Sequence, residues 1–170
     1  MHSTILCILA LTELFPAGAS NGYVDKMADQ YVDRLAVCIE VANKAEILEV
    51  SPSLMVAMAY EESRFDDQAK SSAGAIGALQ VIPRYTCPKS RDYKQCDLVS
   101  SGIVAIRKLV GKYKRLKTVL CHYNAGNKCN ERSRIYARNI LKRRHRLRAM
   151  MKNVSWDFIQ DDKTKKNGPN

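Results

Sequence analysis

An apolar segment that begins at a proline and ends at two glutamates constrains the fold of this chain most strongly. Ser51 and Pro52 supply a helix N-cap and a first-turn proline, and the helix that they predict carries Glu62 in its last turn. Both Glu61 and Glu62 continue an apolar face of this helix, so periodicity alone leaves open which carboxyl group points inward. The apolar positions are Leu54, Met55, Met58 and Ala59.

The carboxyl group of Glu62 has no acidic neighbour in the segment that follows the helix. No carboxylate occurs between Gln68 and Arg91. A carboxyl group on an apolar surface tends to stay protonated near neutral pH, because burial disfavours its charged form. Glu62 is therefore a candidate general acid for cleavage of a glycosidic bond.

The rest of the chain has the pattern of a mostly α domain. At 170 residues it is long enough for one domain with a real core, and it contains no repeats and no linker rich in proline and glycine. Residues 71–77 are small and glycine-rich, which predicts a tight loop or a short hairpin. Apolar residues at helical spacing predict further helices over residues 25–48, 98–113, 117–123 and 132–152.

Charge is distributed unevenly along the chain, whose net charge is +11. Residues 107–152 contain sixteen Lys or Arg and one acid, Glu131, whereas residues 21–106 contain nine basic and twelve acidic residues. This asymmetry predicts attraction to a polyanion, such as nucleic acid, anionic lipid headgroups or the bacterial wall. A solvated helix face is the alternative.

The N-terminus has the pattern of a secretory signal over residues 1–19. Ile5 to Leu14 is an apolar run too short to span a bilayer, and Ala17 and Ala19 form an A-x-A cleavage pattern. Against this, the run contains Glu13 and no Lys or Arg precedes it, so a first core helix is the alternative. We expect a folded domain over residues 20–152 and a polar, flexible tail over 153–170.

Cysteine usage agrees with export. With Cys7 removed in the signal, five cysteines remain, which in an oxidising compartment predicts two disulfides and one free thiol. No C-x-x-C pair occurs and only His122 and His145 remain in the mature chain, so we expect neither a zinc site nor a cofactor. The remaining cysteines are Cys38, Cys87, Cys96, Cys121 and Cys129.

Three segments together resemble the lysozyme-like lytic transglycosylases, the family of the catalytic domain of soluble lytic transglycosylase. Glu62 begins a match to the pattern E-S-x-F/W, residues 74–83 match G-A-x-G-x-M-Q-I-x-P with Leu79 in place of Met, and residues 123–126 read Y-N-A-G. The resemblance runs from about Cys38 to Leu141. It implies a lysozyme-like (α+β) domain with the glycine-rich loop beside the catalytic helix, and it selects Glu62 over Glu61.

The family's chemistry needs a single carboxyl group. It implies that Glu62 protonates the oxygen between N-acetylmuramic acid and N-acetylglucosamine, then acts as a base on the C6 hydroxyl, which attacks C1 and leaves a 1,6-anhydro end. A hydrolase needs a second carboxylate about 5–9.5 Å away. Asp66 and Asp67 are the nearest candidates, and we expect both at a solvated turn.

The resemblance also implies supporting roles near the catalytic helix. Ser63 and Gln80 would hydrogen-bond the sugars or orient Glu62, and Leu79 would line the groove. For Gln80 the alternative is a loop amide that satisfies backbone groups.

Further residues would come from the second half of the chain. Tyr123 would hold the catalytic carboxyl or the nearby sugar, and Asn124 would fix the local turn; a buried tyrosine and a helix C-cap are the alternatives. Tyr136 aligns with a family tyrosine in the pattern E-T-R-x-Y-V. Arg132 stands where that pattern has its glutamate, with Glu131 one residue away.

A resemblance to small exported transglycosylases implies a disulfide between Cys38 and Cys96, with Gly102 six residues further on. Cys121 and Cys129 flank the Y-N-A-G segment and would form a second disulfide. This accounting leaves Cys87 free.

These observations predict an exported peptidoglycan lytic transglycosylase that acts as a monomer on glycan strands in the periplasm or cell envelope. A hydrolytic, goose-type-like muramidase and a non-catalytic wall-binding component of an envelope-spanning machine are the alternatives. A nucleic-acid-binding protein that uses residues 142–146 would lack a recognisable reading motif, so no specific nucleic acid is expected. The setting stays open between wall recycling, a secretion, pilus or conjugation assembly, and a phage, for which the location would be the virion or the host envelope.

Overall fold

The computed structural model describes residues 2–12, 14, 21–87 and 95–166, of which 21–28 and 155–166 are described by their backbone alone. Helices dominate these residues, and they contain no strand beyond isolated bridges of Ile76 with Lys70 and with Val81. The helices are α1 His2–Leu11, α2 Asn21–Ile47, α3 Pro52–Ser63, α4 Pro83–Thr86, α5 Leu98–Lys112, α6 Leu116–Ala125 and α7 Glu131–Lys166.

The α3 helix forms the centre of the core. Residues 54–60 are all buried, and α3 contacts α1, α2 and α7. A helix that is apolar on every side is buried on every side, which matches the run of Leu, Met, Val and Ala in this segment. Its last turn therefore carries Glu62 from the core to the edge of the domain.

The α7 helix is longer than the sequence analysis expected. It continues through Lys166, so the part of the predicted flexible tail that is described, residues 153–166, is helical. From Glu131 to Lys166 the chain contains neither proline nor glycine, the two residues that most disfavour a helix interior. Residues 167–170 lie outside the described residues.

The N-terminal apolar run forms α1, which packs against α2, α3 and α7. Its side chains Leu6, Cys7, Ala10 and Leu11 are buried, and Cys7 forms a disulfide with Cys38. The predicted Cys38–Cys96 disulfide is therefore wrong. Cys38 lies on the side of α2 that faces α1.

The prediction of a free Cys87 is wrong for a related reason. Cys96 lies just before α5, and its Cα atom is 6.1 Å from that of Cys87 at the end of α4, where the two sulfurs are bonded. The third disulfide joins Cys121 to Cys129, the pairing that the sequence analysis considered. No described helix is long and apolar enough to cross a membrane.

Candidate active site

The end of α3 fixes the position of Glu62. Arg64 and Phe65 adopt left-handed conformations with φ of 59° and 63°, which are uncommon for residues other than glycine. Their amide groups donate to the carbonyls of Tyr60 and Ala59, so the helix stops sharply one residue after Ser63. The Phe65 ring is buried edge-on against Tyr60, which compensates for the backbone strain.

Tyr136 on α7 contacts Glu62 directly. Its hydroxyl donates to Oε1 of Glu62 at 2.5 Å. Burial raises the pKa of Glu62 to about 7, the Tyr136 hydrogen bond lowers it, and the charge of Glu61 raises it further. Burial dominates, so the protonated and charged forms of Glu62 are both well populated near pH 7.

Tyr123 on α6 is half-buried and supplies a second hydroxyl beside the same carboxyl group. It donates to the Leu79 carbonyl at 2.8 Å. Burial and the charge of Glu62 raise the pKa of Tyr123. The same two causes raise the pKa of Tyr136 well above its ordinary value. Both phenols therefore stay protonated, and the lone pairs of Tyr123 remain available to accept a hydrogen bond.

The start of α7 determines where Tyr136 lies. Asn130 and Ser133 form a reciprocal cap, in which the Ser133 amide donates to Asn130 Oδ1 and the Asn130 amide donates to Ser133 Oγ, each at 2.9 Å. The Cys121–Cys129 disulfide joins α6 to this cap. The helices that carry Tyr123 and Tyr136 are thus held together across the turn that separates them.

A cavity of about 600 Å³ opens beside Glu62. The glycine-rich loop, α4, α5 and α6 form its walls. Among the described residues that line it, Glu62 is the sole carboxylate. The arrangement offers one protonated acid held by a phenol, which is enough for proton transfer to a leaving group and back.

Comparison with protein families matches residues 39–145 to the Transglycosylase SLT domain. The chain belongs to this family. Membership supports a lysozyme-like, mainly helical fold and lytic-transglycosylase-type lysis of peptidoglycan. No curated protein and no solved structure matches the chain.

Ser63 and Gln80, which were expected to hydrogen-bond the sugars or orient Glu62, hydrogen-bond backbone carbonyls of this SLT domain. The Ser63 hydroxyl lies 3.0 Å from the Ala78 carbonyl, which ties the end of α3 to the glycine-rich loop. The Gln80 amide donates to the carbonyls of Ala69 and Gly77, each at 3.1 Å, as the alternative interpretation expected. Gln80 still lines the cavity, and its φ of 45° is left-handed.

Leu79 lies in the core of the SLT domain and not in the groove. It was expected to line the groove, but its side chain is 1% exposed and packs against Gly102 of α5. A Cβ at Gly102 would lie 2.8 Å from Cδ1 of Leu79, so the missing side chain makes the room that Leu79 occupies. Only its carbonyl serves the site, as the acceptor for Tyr123.

Asn124 is exposed and lines the cavity. It was expected to fix the turn after α6, but Gly126 ends that helix, and its amide donates to the His122 carbonyl at 2.9 Å. A φ of 67° with a ψ of −124° at Gly126 favours glycine there. The Asn124 side chain is thereby left to the cavity.

The other acidic candidates do not line the cavity beside Glu62. Glu61 accepts from Asn139 Nδ2 at 3.0 Å, and Asp66 pairs with Arg34 at 3.9 Å. Asp67 lines a different cavity, behind the glycine-rich loop. Glu131 pairs with Arg134 and Arg138 of its own helix.

Among the residues that line the SLT-domain cavity and that sequence reasoning missed are Tyr85, Lys108 and His122. Tyr85 is 67% exposed, which is unusual for a large aromatic ring. Lys108 belongs to the same helical face as Ala105 and Leu109, a register that only the packing of α5 reveals. Among the described residues, no cluster of three or more His, Cys, Asp or Glu could hold a metal ion.

Proposed function

We propose that this SLT domain is a lytic transglycosylase in which Glu62 acts first as acid and then as base. The observation that carries the proposal is a half-buried carboxyl group whose pKa is raised to about 7 and which is the only acid among the described residues lining its cavity. A hydrolase would need a second carboxylate to activate water.

The geometry fits a proton that leaves Glu62 and returns to it. Tyr136 donates to Oε1, so the other oxygen carries the proton to the glycosidic oxygen. As the bond from C1 of the muramoyl sugar breaks, that proton becomes part of the new hydroxyl on the leaving sugar. The C6 hydroxyl then forms a bond to C1 and gives its proton to the carboxylate, which Tyr136 stabilises meanwhile. Glu62 ends protonated and no water is consumed.

Solubilisation of purified sacculi tests the role of Glu62. Glu62→Gln keeps the shape and the hydrogen bond from Tyr136 but has no proton to transfer, so we expect release of soluble muropeptides to fall at least 10³-fold. Glu49→Gln is the matched control, because the Glu49 side chain is 79% exposed and pairs only with Arg107 in the described structure. Equal release by the two variants would support the non-catalytic wall-binding alternative.

We also propose that the chain is exported to the periplasm or cell envelope. The two disulfides that lie beyond the proposed signal, Cys87–Cys96 and Cys121–Cys129, support an oxidising compartment. The net charge of +11 supports attraction to an anionic wall. A secretion, pilus, conjugation or phage assembly remains the proposed setting in which such an enzyme would open the wall locally.

A further inference from the structure

One wall of the cavity beside Glu62 is basic. Lys108 reaches it from α5 and His122 reaches it from α6. Lys108 forms no ion pair with any residue in the described part of the chain, in contrast to Arg107 beside it, which pairs with Glu49 at 3.5 Å. The wall therefore presents a positive charge that the described protein leaves uncompensated.

His122 is held rigidly in this wall. Its ring stacks on Tyr113 with centroids 4.3 Å apart and planes 1° from parallel. Its Nδ1 lies 2.6 Å from the Gly126 carbonyl, and since a carbonyl only accepts, Nδ1 carries the hydrogen. Nε2 has no partner among the described residues and is left to bind a ligand.

The basic wall leaves the acid of the same cavity unperturbed. Lys108, His122 and Glu62 all line this cavity, but neither basic side chain is among the groups that shift the pKa of Glu62. A cation that acted on the acid would lower that pKa. The two basic side chains are therefore available to bind another part of a ligand in the cavity.

The charge of this wall selects one component of peptidoglycan. The sugar rings offer neutral hydroxyl and acetamido groups, whereas the peptide stems on the muramoyl sugars carry free carboxylates beside amide N–H groups. We propose that Lys108 and His122 form a subsite for the peptide stem, in which the Lys108 ammonium binds a stem carboxylate and Nε2 of His122 accepts an amide N–H. This inference rests on the proposed function, since it takes glycan strands as the substrate.

Binding in the Glu62→Gln background tests the subsite without cleavage of the ligand. The probes are soluble glycan oligomers that carry stems and the same oligomers stripped of stems by an amidase, with the lactyl carboxylates that this exposes converted to neutral amides, all titrated calorimetrically. We expect Lys108→Met to weaken binding of the stemmed oligomer about tenfold, the effect of one charged hydrogen bond, and to leave the stripped oligomer unchanged. Lys117→Met is the control, because Lys117 is also exposed but does not line the cavity.

His122→Asn tests the second half of the subsite. The shorter amide can still donate towards the Gly126 carbonyl but has no counterpart of Nε2, so we expect selective weakening of the stemmed oligomer. Equal effects of either substitution on both oligomers, or none on either, would overturn the subsite. Failure of the unsubstituted chain to cleave either oligomer would instead overturn the proposed function. The difference in binding between the two oligomers would still test the subsite, because it does not depend on cleavage.

Discussion

The hydroxyl of Tyr136 lies 2.5 Å from Oε1 of Glu62, although 74 residues separate them in the chain. One turn further along α7, Asn139 donates to Glu61 at 3.0 Å. Two neighbouring residues at the end of α3 are thus each held by a side chain of α7. This pair of contacts orients the acid and sets the balance between its protonated and charged forms.

Removal of the Tyr136 hydroxyl should change the pH profile as well as the rate. The Tyr136 hydrogen bond lowers the pKa of Glu62, so Tyr136→Phe should raise that pKa and move the alkaline fall in kcat/KM to higher pH. The maximum should drop at least tenfold, because the charged intermediate form loses a donor. Rates of muropeptide release measured from pH 5 to pH 9 check both effects.

Glu61→Gln should shift the pH profile in the opposite direction to Tyr136→Phe. The Glu61 charge raises the pKa of Glu62, and a glutamine can still accept from Asn139. Its alkaline fall should therefore occur at lower pH than in the unsubstituted chain. Shifts of the two variants in the same direction would contradict this assignment.

Glu62 should also make folding stability depend on pH. Folding raises the pKa of Glu62 from 4.5 to about 7, so the folded chain binds this proton more tightly than the unfolded chain does. Proton binding therefore stabilises the folded state fully below pH 4.5, and this stabilisation is lost as the pH rises towards 7. Glu62→Gln does not titrate. The glutamate chain should therefore lose about 3 kcal/mol of stability, relative to the glutamine chain, between pH 4 and pH 8. Urea unfolding at both pH values measures this, and a constant difference would contradict it.

The Cys121–Cys129 disulfide should matter for activity because it precedes the helix that carries Tyr136. Replacement of both cysteines by alanine should lower the free energy of unfolding by about 2.5 kcal/mol. The rate of muropeptide release by this double variant should also fall, even at temperatures where the chain is still folded. The matched control replaces Cys87 and Cys96, which close a segment of similar length away from α7. Equal losses of activity in the two double variants would show that the disulfide contributes stability alone.

The proposed signal over residues 1–19 predicts a definite product. Cleavage after Ala19 removes α1 together with Cys7, and it leaves Cys38 as the one cysteine whose partner in the structure is gone. Intact mass and thiol alkylation of the exported protein should then show a chain that begins at Ser20 with one reactive thiol. A chain that retains its first residues and has no reactive thiol would show that α1 is part of the exported fold.

The sequence was most informative where local rules coincide. Ser51, Pro52 and the apolar run define α3 and place Glu62 at its end, and the glycines of residues 74–77 predict the loop that faces it. The burial of Leu79 could not be predicted, because it depends on a gap at Gly102 on another helix. The disulfide of Cys38 likewise depends on which face of α2 meets α1, and the basic wall depends on how α5 and α6 pack.

Digestion of purified sacculi in H₂¹⁸O distinguishes internal attack from hydrolysis. Internal attack by the C6 hydroxyl consumes no water, so we expect muropeptides that are one water lighter than hydrolysis products, carry no ¹⁸O and resist borohydride. Reducible ends that contain ¹⁸O would show that Glu62 directs hydrolysis instead, and would contradict the account.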